Sequence, residues 1–364
     1  MSSHLSPSSS PRSDLAGYGW DQAHEDAFRP HRASGLVPAR VVRAERGRCD
    51  TVTETGPATA TVPAAGADPL TRPCTGDWVA LRPGTHGQPA TVHTVLQRRT
   101  ALVRSSASRT SHSQVLAANV DTVVLAVSLA DPIKPGRIER MLTLAWESGA
   151  RPVVVLTKAD RHPDPRAAAA EAAGLAPGVD VLVTSATTGE GMEALTAVLD
   201  GTIVLLGPSG AGKSTLGNHL LGQDLLPTGA VRAADGKGRH TTAWREMRLL
   251  PAGGVLLDTP GLRAVALTDT HTGLEQTFAD IEHLAHSCHF TDCGHTREPG
   301  CAVQDAIESG TLPRRRLDSY RRLLRESDHA ASRTDARLRA GREGVKKDIS
   351  RKLRQTYTFR ERQR

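Results

Sequence analysis

Aromatic residues are scarce in this 364-residue chain, at 3% of the composition: four Phe, four Trp and three Tyr. Any hydrophobic core must therefore be built mainly from Val, Leu, Ile and Ala, which is typical of layered α/β packing. Long apolar runs are also missing, since no stretch approaches the roughly 18 residues that a membrane-spanning helix needs. The Ser- and Pro-rich start of the chain lacks the apolar segment of a secretory signal. We therefore expect a cytoplasmic protein without a membrane partner.

Acidic residues are outnumbered most strongly at the C-terminal end. The formal net charge of the chain is +7, yet residues 311–364 contain 18 Lys and Arg against 7 Asp and Glu. Most of these cations are Arg, whose planar guanidinium binds phosphate oxygens in pairs. A polyanionic partner such as RNA is the functional interpretation, and a solvated basic helix surface is the alternative.

Short β-type runs, separated by Gly, Pro and polar turns, begin at Leu36. Residues 1–35 before them show no periodicity and are predicted to form a flexible arm. Strands are predicted at residues 39–43, 50–55, 59–62, 77–81 and 91–96. Five strands in so short a segment favour a small closed barrel of the oligonucleotide-binding (OB) type. Trp78 is its only aromatic residue, so RNA contact is expected through backbone and shape rather than base stacking.

From about residue 119 the pattern changes to alternating strands and helices. Buried strands are predicted at residues 123–127, 152–156, 181–184 and 203–206. This alternation predicts a mostly parallel sheet with helices on both faces. Such sheets bind ligands at the carboxyl ends of their strands, so the loops after Leu156, Thr184 and Leu206 are expected to meet in one crevice.

The loop after residues 203–206 has the P-loop pattern G-x-x-x-x-G-K-[ST] and precedes a helix-compatible segment. Its glycines let successive backbone N–H groups point at a polyphosphate, and the helix N-terminus adds its dipole. Lys213 is expected to reach the β- and γ-phosphates and to take part in catalysis, and Ser214 to bind Mg²⁺. The predicted phosphate-binding residues are Gly207, Pro208, Ser209, Gly210, Ala211, Gly212, Lys213, Ser214 and Thr215.

A further motif, Asp258-Thr-Pro-Gly261, follows a buried strand predicted at residues 255–257. Asp258 is expected to lie near Mg²⁺, and the Gly261 amide near the γ-phosphate. The segment before it, Gly236-Lys-Gly-Arg-His-Thr-Thr242, offers hydroxyls that could close over the metal. Either Thr241 or Thr242 is expected to bind Mg²⁺, and the sequence leaves that choice open.

The loop Thr157-Lys-Ala-Asp160 predicts which base is bound. The Asp160 carboxylate can accept hydrogen bonds from both N1–H and the 2-amino group of guanine, a donor pair that adenine lacks. The Lys158 stem can pack along the ring, and the loop Thr184-Ser-Ala186 can offer a backbone amide to the guanine carbonyl. These features predict GTP rather than ATP. The predicted guanine-binding residues are Thr157, Lys158, Ala159, Asp160, Ser185 and Ala186.

Cysteine is also rare, at five residues, but Cys288, Cys293 and Cys301 fall within fourteen positions that also contain His295. In a reducing cytoplasm this spacing indicates a metal site rather than disulfides. Three thiolates and one imidazole suit tetrahedral Zn²⁺ without an open position, so the metal is expected to be structural. His286 and His289 are rival imidazoles.

The order of the nucleotide motifs is unusual, because Asp160 precedes Gly207 whereas ordinary GTPases have the phosphate loop first. In this order the chain resembles the circularly permuted GTPases of the ribosome small-subunit-dependent GTPase A family. The matching stretches run from Gly76-Asp-Trp78 through Ala117-Ala-Asn-Val-Asp121 and the GTPase motifs to the Cys/His cluster. The resemblance covers roughly residues 36–325.

The resemblance implies a GTP hydrolase that acts late in maturation of the small (30S) ribosomal subunit, binds its 16S rRNA and is stimulated by the subunit. It also implies His295 as the fourth zinc ligand and favours His240 as a catalytic candidate. A histidine at that position could equally contact RNA or anchor the loop. Leu262 stands where many GTPases have a water-orienting Gln, so slow turnover without the subunit is predicted.

Two other classes of function are considered. A P-loop ATPase or kinase would prefer ATP, which Asp160 argues against. An RNA-binding assembly protein could use GTP only as a structural or switch ligand, and Leu262 keeps this alternative open.

The predicted fold is multidomain α/β, with an OB-type barrel, a circularly permuted P-loop GTPase domain and a helical zinc-binding domain. The expected cofactors are one structural Zn²⁺ per chain and Mg²⁺ with GTP. The expected partners are GTP or GDP and the small ribosomal subunit, and the expected state is a monomer. The predicted segments are residues 1–35 (arm), 36–112 (barrel), 113–272 (GTPase), 273–330 (zinc domain) and 331–364 (basic tail).

Overall fold

The structure is a computed structural model that describes residues 14–63, 71–85, 87–104, 114–226, 246–258 and 271–334. It divides into two compact units, one of residues 1–104 with 113–265 and the other of residues 105–112 with 266–364. The domain boundaries given above stay predictions. Among the described residues, no helix is long and apolar enough to cross a lipid bilayer.

Two helices, α1 (Asp14–Gly17) and α2 (Gln22–Ala33), precede the barrel. The N-terminus of α2 is capped by Asp21, whose Oδ1 accepts a hydrogen bond from the His24 N–H at 2.8 Å. The flexible arm predicted for residues 1–35 is therefore wrong over these helices. Helix α2 buries few side chains, so its apolar stripe was too weak to read from the sequence.

An aromatic cluster holds α2 against the barrel. The Phe28 ring is fully buried beside Leu36 and Ala80. The Trp20 ring lies 4.8 Å from that of Trp78, edge to face, which is a favourable arrangement for aromatic pairs. Most of the aromatic residues near the N-terminus thus serve packing.

Shortening the Phe28 side chain tests this docking. We expect Phe28→Leu to lower the free energy of unfolding by about 1 kcal/mol, because the replacement fills the ring's site incompletely. Urea titration followed by circular dichroism measures the change. Arg29→Gln, at an exposed position of the same helix, is the control and is expected to change stability by less than about 0.5 kcal/mol. Equal stability of the two variants would contradict the docking of α2.

Five strands close into a barrel. They are β1 (Val37–Glu45), β2 (Arg48–Thr53), β3 (Gly56–Thr61), β4 (Trp78–Arg82) and β5 (Ala90–Val95). Their order is β1-β2-β3-β5-β4, with β1 paired antiparallel to both β2 and β4, and β3 parallel to β5. Small aliphatic side chains and Cys49 fill the interior. The predicted five-stranded barrel is confirmed.

A hairpin-like pair, β6 (Ala101–Arg104) and β7 (Gln114–Ala118), follows the barrel and leads into a six-stranded sheet. The strands of that sheet are β8 (Thr122–Ser128), β9 (Arg151–Thr157), β10 (Asp180–Val183), β11 (Thr202–Leu206), β12 (Glu246–Leu249) and β13 (Val255–Asp258). Their order is β10-β9-β8-β11-β13-β12, and all neighbours are parallel except β12 and β13. The predicted parallel sheet is confirmed, and its antiparallel edge strand β12 was not predicted.

Helices connect the parallel strands. They are α3 (Pro135–Glu147), α4 (Pro165–Leu175), α5 (Met192–Val198) and α6 (Lys213–Leu221). Val124, Val155 and Ile203 are fully buried in the sheet, as expected for strands covered on both faces. The carboxyl ends of β9, β10 and β11 lead into the three loops that carry the predicted nucleotide motifs.

A buried arginine joins the barrel to the sheet within the first unit. One Nη of Arg40 donates hydrogen bonds to the Asn119 carbonyl and to Thr202 Oγ1, both at 3.1 Å. Its guanidinium lies over the Trp78 ring, 4.5 Å from the centroid. Burial lowers the pKa of Arg40 to about 10, against the opposing charges of nearby Asp121 and Asp77, so the side chain is still protonated at neutral pH.

The second unit is helical, with α7 (His271–Thr277), α8 (Ala279–Ala285), α9 (Ala302–Glu308) and α10 (Arg314–Thr334). Its small core contains Phe278, Ile281 and Val303. The buried Arg316 guanidinium binds both carboxylate oxygens of Asp280, at 2.5 and 2.9 Å. A long loop between α8 and α9 contains the Cys/His cluster.

Candidate functional site

The loop between β11 and α6 has the geometry of a phosphate cradle. A Cβ atom at Gly207 would lie 2.6 Å from the Ala126 carbonyl oxygen, so only glycine allows the chain to leave the sheet here. Gly212 has a φ of 81° and caps the N-terminus of α6, which leaves the first N–H groups of that helix facing the loop. Lys213 Nζ donates hydrogen bonds to the Gly207 and Pro208 carbonyls at 2.8 and 2.7 Å. The ammonium therefore lies inside the cradle, where a polyphosphate would bind.

The predicted guanine-binding loop after β9 contacts this cradle directly. Lys158, whose φ is 60°, extends across to the phosphate loop and its Nζ donates to the Gly210 carbonyl at 2.6 Å. The neighbouring Thr157 Oγ1 donates to the Ala211 carbonyl at 2.8 Å. Two segments some fifty residues apart in the chain thus lie side by side in one site. The base-binding segment comes first in the sequence, in the reverse of the order in ordinary GTPases.

Asp160 lies in a short 3₁₀ helix, Ala159–Arg161, and lines a cavity of about 260 Å³. Its Oδ1 accepts a hydrogen bond from the buried Ser185 hydroxyl at 2.6 Å. This bond fixes the orientation of the carboxylate, and the remaining lone-pair sites of its two oxygens can accept from a ligand. The residues that line the cavity are Thr157, Lys158, Asp160, Arg161, Thr184, Ala186, Thr187, Gly212, Thr215 and Leu216.

Four of these lining residues were not among the predicted site residues: Arg161, Thr184, Thr187 and Leu216. Each lies next to a predicted one in the sequence, so adjacency was the only signal that could have found them. Arg161 and Thr187 are exposed, whereas Thr184 and Leu216 are buried.

The structure describes the predicted Asp258-Thr-Pro-Gly261 motif only up to its first residue. Asp258 is the last residue of β13, the strand that pairs in parallel with β11, which agrees with the motif order. His240, Gly261 and the alternatives Thr241 and Thr242 lie outside the described residues, as does Leu262. Their roles stay predictions.

The Cys/His cluster is assembled in the second unit. The ligand atoms of Cys288, Cys293, His295 and Cys301 all lie within 4.8 Å of one another. The Cys288 and Cys301 Sγ atoms are 3.9 Å apart, and His295 Nδ1 is 3.6 and 3.5 Å from them. A tetrahedron with bonds of about 2.3 Å has edges of about 3.8 Å, so the donor set and its spacing fit Zn²⁺.

The protonation state of His295 also suits a metal. Burial, and then the charge of Arg321, lower the pKa of His295, which favours the neutral imidazole that a metal ligand needs. With four protein donors no coordination position is left open, so the residues could hold a structural Zn²⁺. The predicted choice of His295, rather than His286 or His289, agrees with this assembly.

Comparisons with known proteins show the family to which the chain belongs. The RsgA GTPase family profile matches residues 95–268. The chain is 56% identical over 338 residues to the small ribosomal subunit biogenesis GTPase RsgA of Streptomyces coelicolor, which covers 92% of each chain. It is 43% identical to the protein of the same name from Opitutus terrae, over 92% of this chain and 95% of that one.

Solved structures show the same architecture. YjeQ from Thermotoga maritima matches with a TM-score of 0.59 and 25% identity, over 80% of this chain and 98% of the other. YloQ, a circularly permuted GTPase, matches in fold with a TM-score of 0.57 at 22% identity, over 80% of this chain and 94% of the other. From its motifs, its fold and these similarities, we conclude that the chain belongs to the RsgA GTPase family and is a GTP hydrolase.

Proposed function

We propose that this GTPase acts in the biogenesis of the small ribosomal subunit and that the subunit stimulates its hydrolysis of GTP to GDP and phosphate. The curated relatives are named as small ribosomal subunit biogenesis GTPases, and they match nearly the whole chain. Such a role places the protein in the cytoplasm, and the expected state is a monomer.

In this proposal, Asp160 and Lys213 bind opposite ends of one GTP molecule. The hydrogen bond from Lys158 Nζ to the Gly210 carbonyl is the main support, because it joins the base-binding loop to the phosphate loop. Asp160 accepts from the guanine N1–H and 2-amino group, with Ser185 orienting it. Ala159 lies in the same loop, and Ala186 in the neighbouring loop offers its backbone amide to the guanine carbonyl.

The phosphates lie, in the same proposal, against the backbone N–H groups of residues 207–215 and the Lys213 ammonium. Ser214, Asp258 and one of Thr241 or Thr242 would hold Mg²⁺, which when bound neutralises charge on the β- and γ-phosphates. The Gly261 amide would contact the γ-phosphate, and His240 is a candidate for orienting water. The loop carbonyls that now accept from Lys213 Nζ would lose this donor to the phosphate oxygens.

Contact with 16S rRNA is proposed for the barrel and the basic C-terminal helix. The buried Trp78 is unsuited to base stacking. The barrel instead presents Arg48 in register with Thr61, whose hydroxyl lies 3.1 Å from that of Thr91. Hydroxyls and guanidinium groups of this kind recognise RNA through phosphate and 2′-OH groups.

Phosphate release with purified small subunits tests the proposed function. We expect slow release from GTP by the protein alone and a clear increase when small subunits are added, because Leu262 leaves the protein without the usual water-orienting Gln. Lys213→Ala is the matched control and is expected to abolish the stimulated rate, since it removes a phosphate contact. A rate unchanged by subunits, with binding intact, would favour the alternative in which GTP is only a structural or switch ligand.

A further inference from the structure

Three of the four zinc ligands lie within residues 293–301, and Glu298 stands inside this short segment. Its carboxylate faces the backbone of the ligand loop rather than the ligands. The oxygens accept hydrogen bonds from the N–H groups of Gly294 at 3.2 Å, Thr296 at 2.6 Å and Arg297 at 2.9 Å. The Thr296 hydroxyl adds a bond at 3.0 Å. One carboxylate therefore closes the turn that contains His295.

The carbonyl side of the same turn is held by helix side chains. Arg321 of α10 donates from Nη2 to the Gly294 carbonyl at 2.8 Å, and Gln304 of α9 donates to the His295 carbonyl. Gln304 is itself fixed by Arg314, whose Nη2 donates to its Oε1 at 2.9 Å. Donors and acceptors of the turn are thus satisfied by side chains that are not zinc ligands.

This bracing matters because His295 has a φ of 55°. The left-handed region is unfavourable for residues other than glycine, so the turn would not keep this conformation without outside support. In it, His295 Nδ1 already lies 3.5 and 3.6 Å from two of the thiol sulfurs. A ligand loop that is ordered before the metal arrives loses less conformational entropy on binding.

We propose that Glu298 is a positioning residue of the zinc site, which holds the His295 turn in its metal-binding conformation without contacting the metal. Its oxygens are occupied by backbone donors, and it lies outside the four-residue ligand set. Outer hydrogen-bond partners of metal ligands commonly change metal affinity by about 10- to 100-fold.

Zinc affinity of full-length Glu298→Ala and Glu298→Gln variants tests this proposal. Competition between the protein and a chromophoric chelator for Zn²⁺ measures the dissociation constant. We expect Glu298→Ala to bind Zn²⁺ about 10- to 100-fold more weakly. Glu298→Gln is expected to lose less zinc affinity than Glu298→Ala. The Gln carbonyl oxygen still accepts from one backbone N–H group, whereas its NH₂ group cannot accept from the remaining N–H donors of the turn.

Two further measurements separate positioning from a general effect on folding. The absorption spectrum of the Co²⁺-substituted protein reports ligand geometry, and we expect it to change in Glu298→Ala although helix content at saturating metal stays the same. Arg321→Gln, which frees the Gly294 carbonyl, is expected to weaken zinc binding in the same direction. Glu308→Gln removes the same charge from an exposed position of α9 and is expected to leave affinity within twofold.

The proposal is overturned if both Glu298 variants keep the wild-type zinc affinity within twofold and the wild-type Co²⁺ spectrum. It is equally overturned if Glu298→Gln loses helix content at saturating zinc, because Glu298 would then be needed for the fold of the unit. If Glu298→Ala does not fold, Glu298→Gln and Arg321→Gln decide by their chelator titrations alone. None of these outcomes depends on whether the protein acts on ribosomes.

Discussion

Replacing Asp160 with Asn is expected to weaken GTP binding by about 100- to 1,000-fold and to favour xanthosine triphosphate. The Ser185 hydroxyl donates to Asp160 Oδ1, so the amide oxygen of Asn should keep that bond and turn its NH₂ group toward the base. Guanine presents two donors there, and losing two charged hydrogen bonds at about 1.5–2 kcal/mol each, the lower part of their usual range, gives this loss of affinity. Xanthine has a carbonyl in place of the 2-amino group and can accept from the Asn amide. Fluorescence titration with labelled nucleotides measures both affinities.

The control for this exchange is Asp180→Asn, which removes the same charge from an exposed position at the start of β10. It is expected to leave both affinities unchanged. If Asp160→Asn binds GTP as tightly as the wild type does, Asp160 does not read the base. If the wild type binds ATP as tightly as GTP, the discarded ATPase interpretation returns. Either result would remove the proposed pairing of Asp160 with Lys213 on one nucleotide.

The sheet and the phosphate loop could be read from the sequence because their physics is local. Parallel strands that are buried on both faces need continuous apolar runs, as in Val123 to Val127. The phosphate loop needs glycine where a side chain would collide with backbone, and Gly207 meets this condition at 2.6 Å from Ala126. Burial of the strands and close backbone contact in the loop each require particular residue types at a fixed spacing. The sheet and the phosphate loop were predicted from that spacing.

The contact between Lys158 and Gly210 could not be derived in the same way. Sequence order indicated that both loops follow strands of one sheet, but not that the Lys158 ammonium spans the gap between them. That distance depends on β8 lying between β9 and β11 in the sheet, which is a property of topology. Arg161 and Thr187 were not predicted, because the cavity does not require their particular residue types and a motif therefore cannot identify them.

Helix α2 could not be predicted from its own residues. Its sequence is mostly polar, and what fixes it is distant in the chain: Arg99 binds both carboxylate oxygens of Asp21 at 2.7 and 2.9 Å. Arg32 likewise pairs at 2.5 Å with Glu54, which lies in the turn between β2 and β3. Hydrogen bonds to Arg99 accordingly hold the pKa of Asp21 well below its usual range. A helix stabilised by such partners gives little signal in its own residues.

Removing the buried guanidinium at Arg40 is expected to lower the free energy of unfolding by about 3–5 kcal/mol. In Arg40→Ala the Asn119 carbonyl and the Thr202 hydroxyl, which are both buried, lose their shared donor. The space over the Trp78 ring becomes a cavity. Urea unfolding at fixed nucleotide concentration, followed by circular dichroism, measures the loss.

Arg48→Ala in the same barrel is the matched control, because 54% of the Arg48 side chain is exposed and its ion pairs are long, at 3.6 and 3.7 Å. Exposed ion pairs of this kind contribute about 0–1 kcal/mol to the free energy of unfolding, so we expect Arg48→Ala to change it little. Arg40→Met tests whether the buried guanidinium serves stability or the specificity of the junction between barrel and sheet. The Arg40 Nε has no hydrogen-bond partner, so we expect an apolar side chain of similar length to restore stability and to leave the junction less specific. If Arg40→Ala unfolds within 1 kcal/mol of Arg48→Ala, the barrel and the sheet are held together by other contacts and Thr202 is not an anchor of β11.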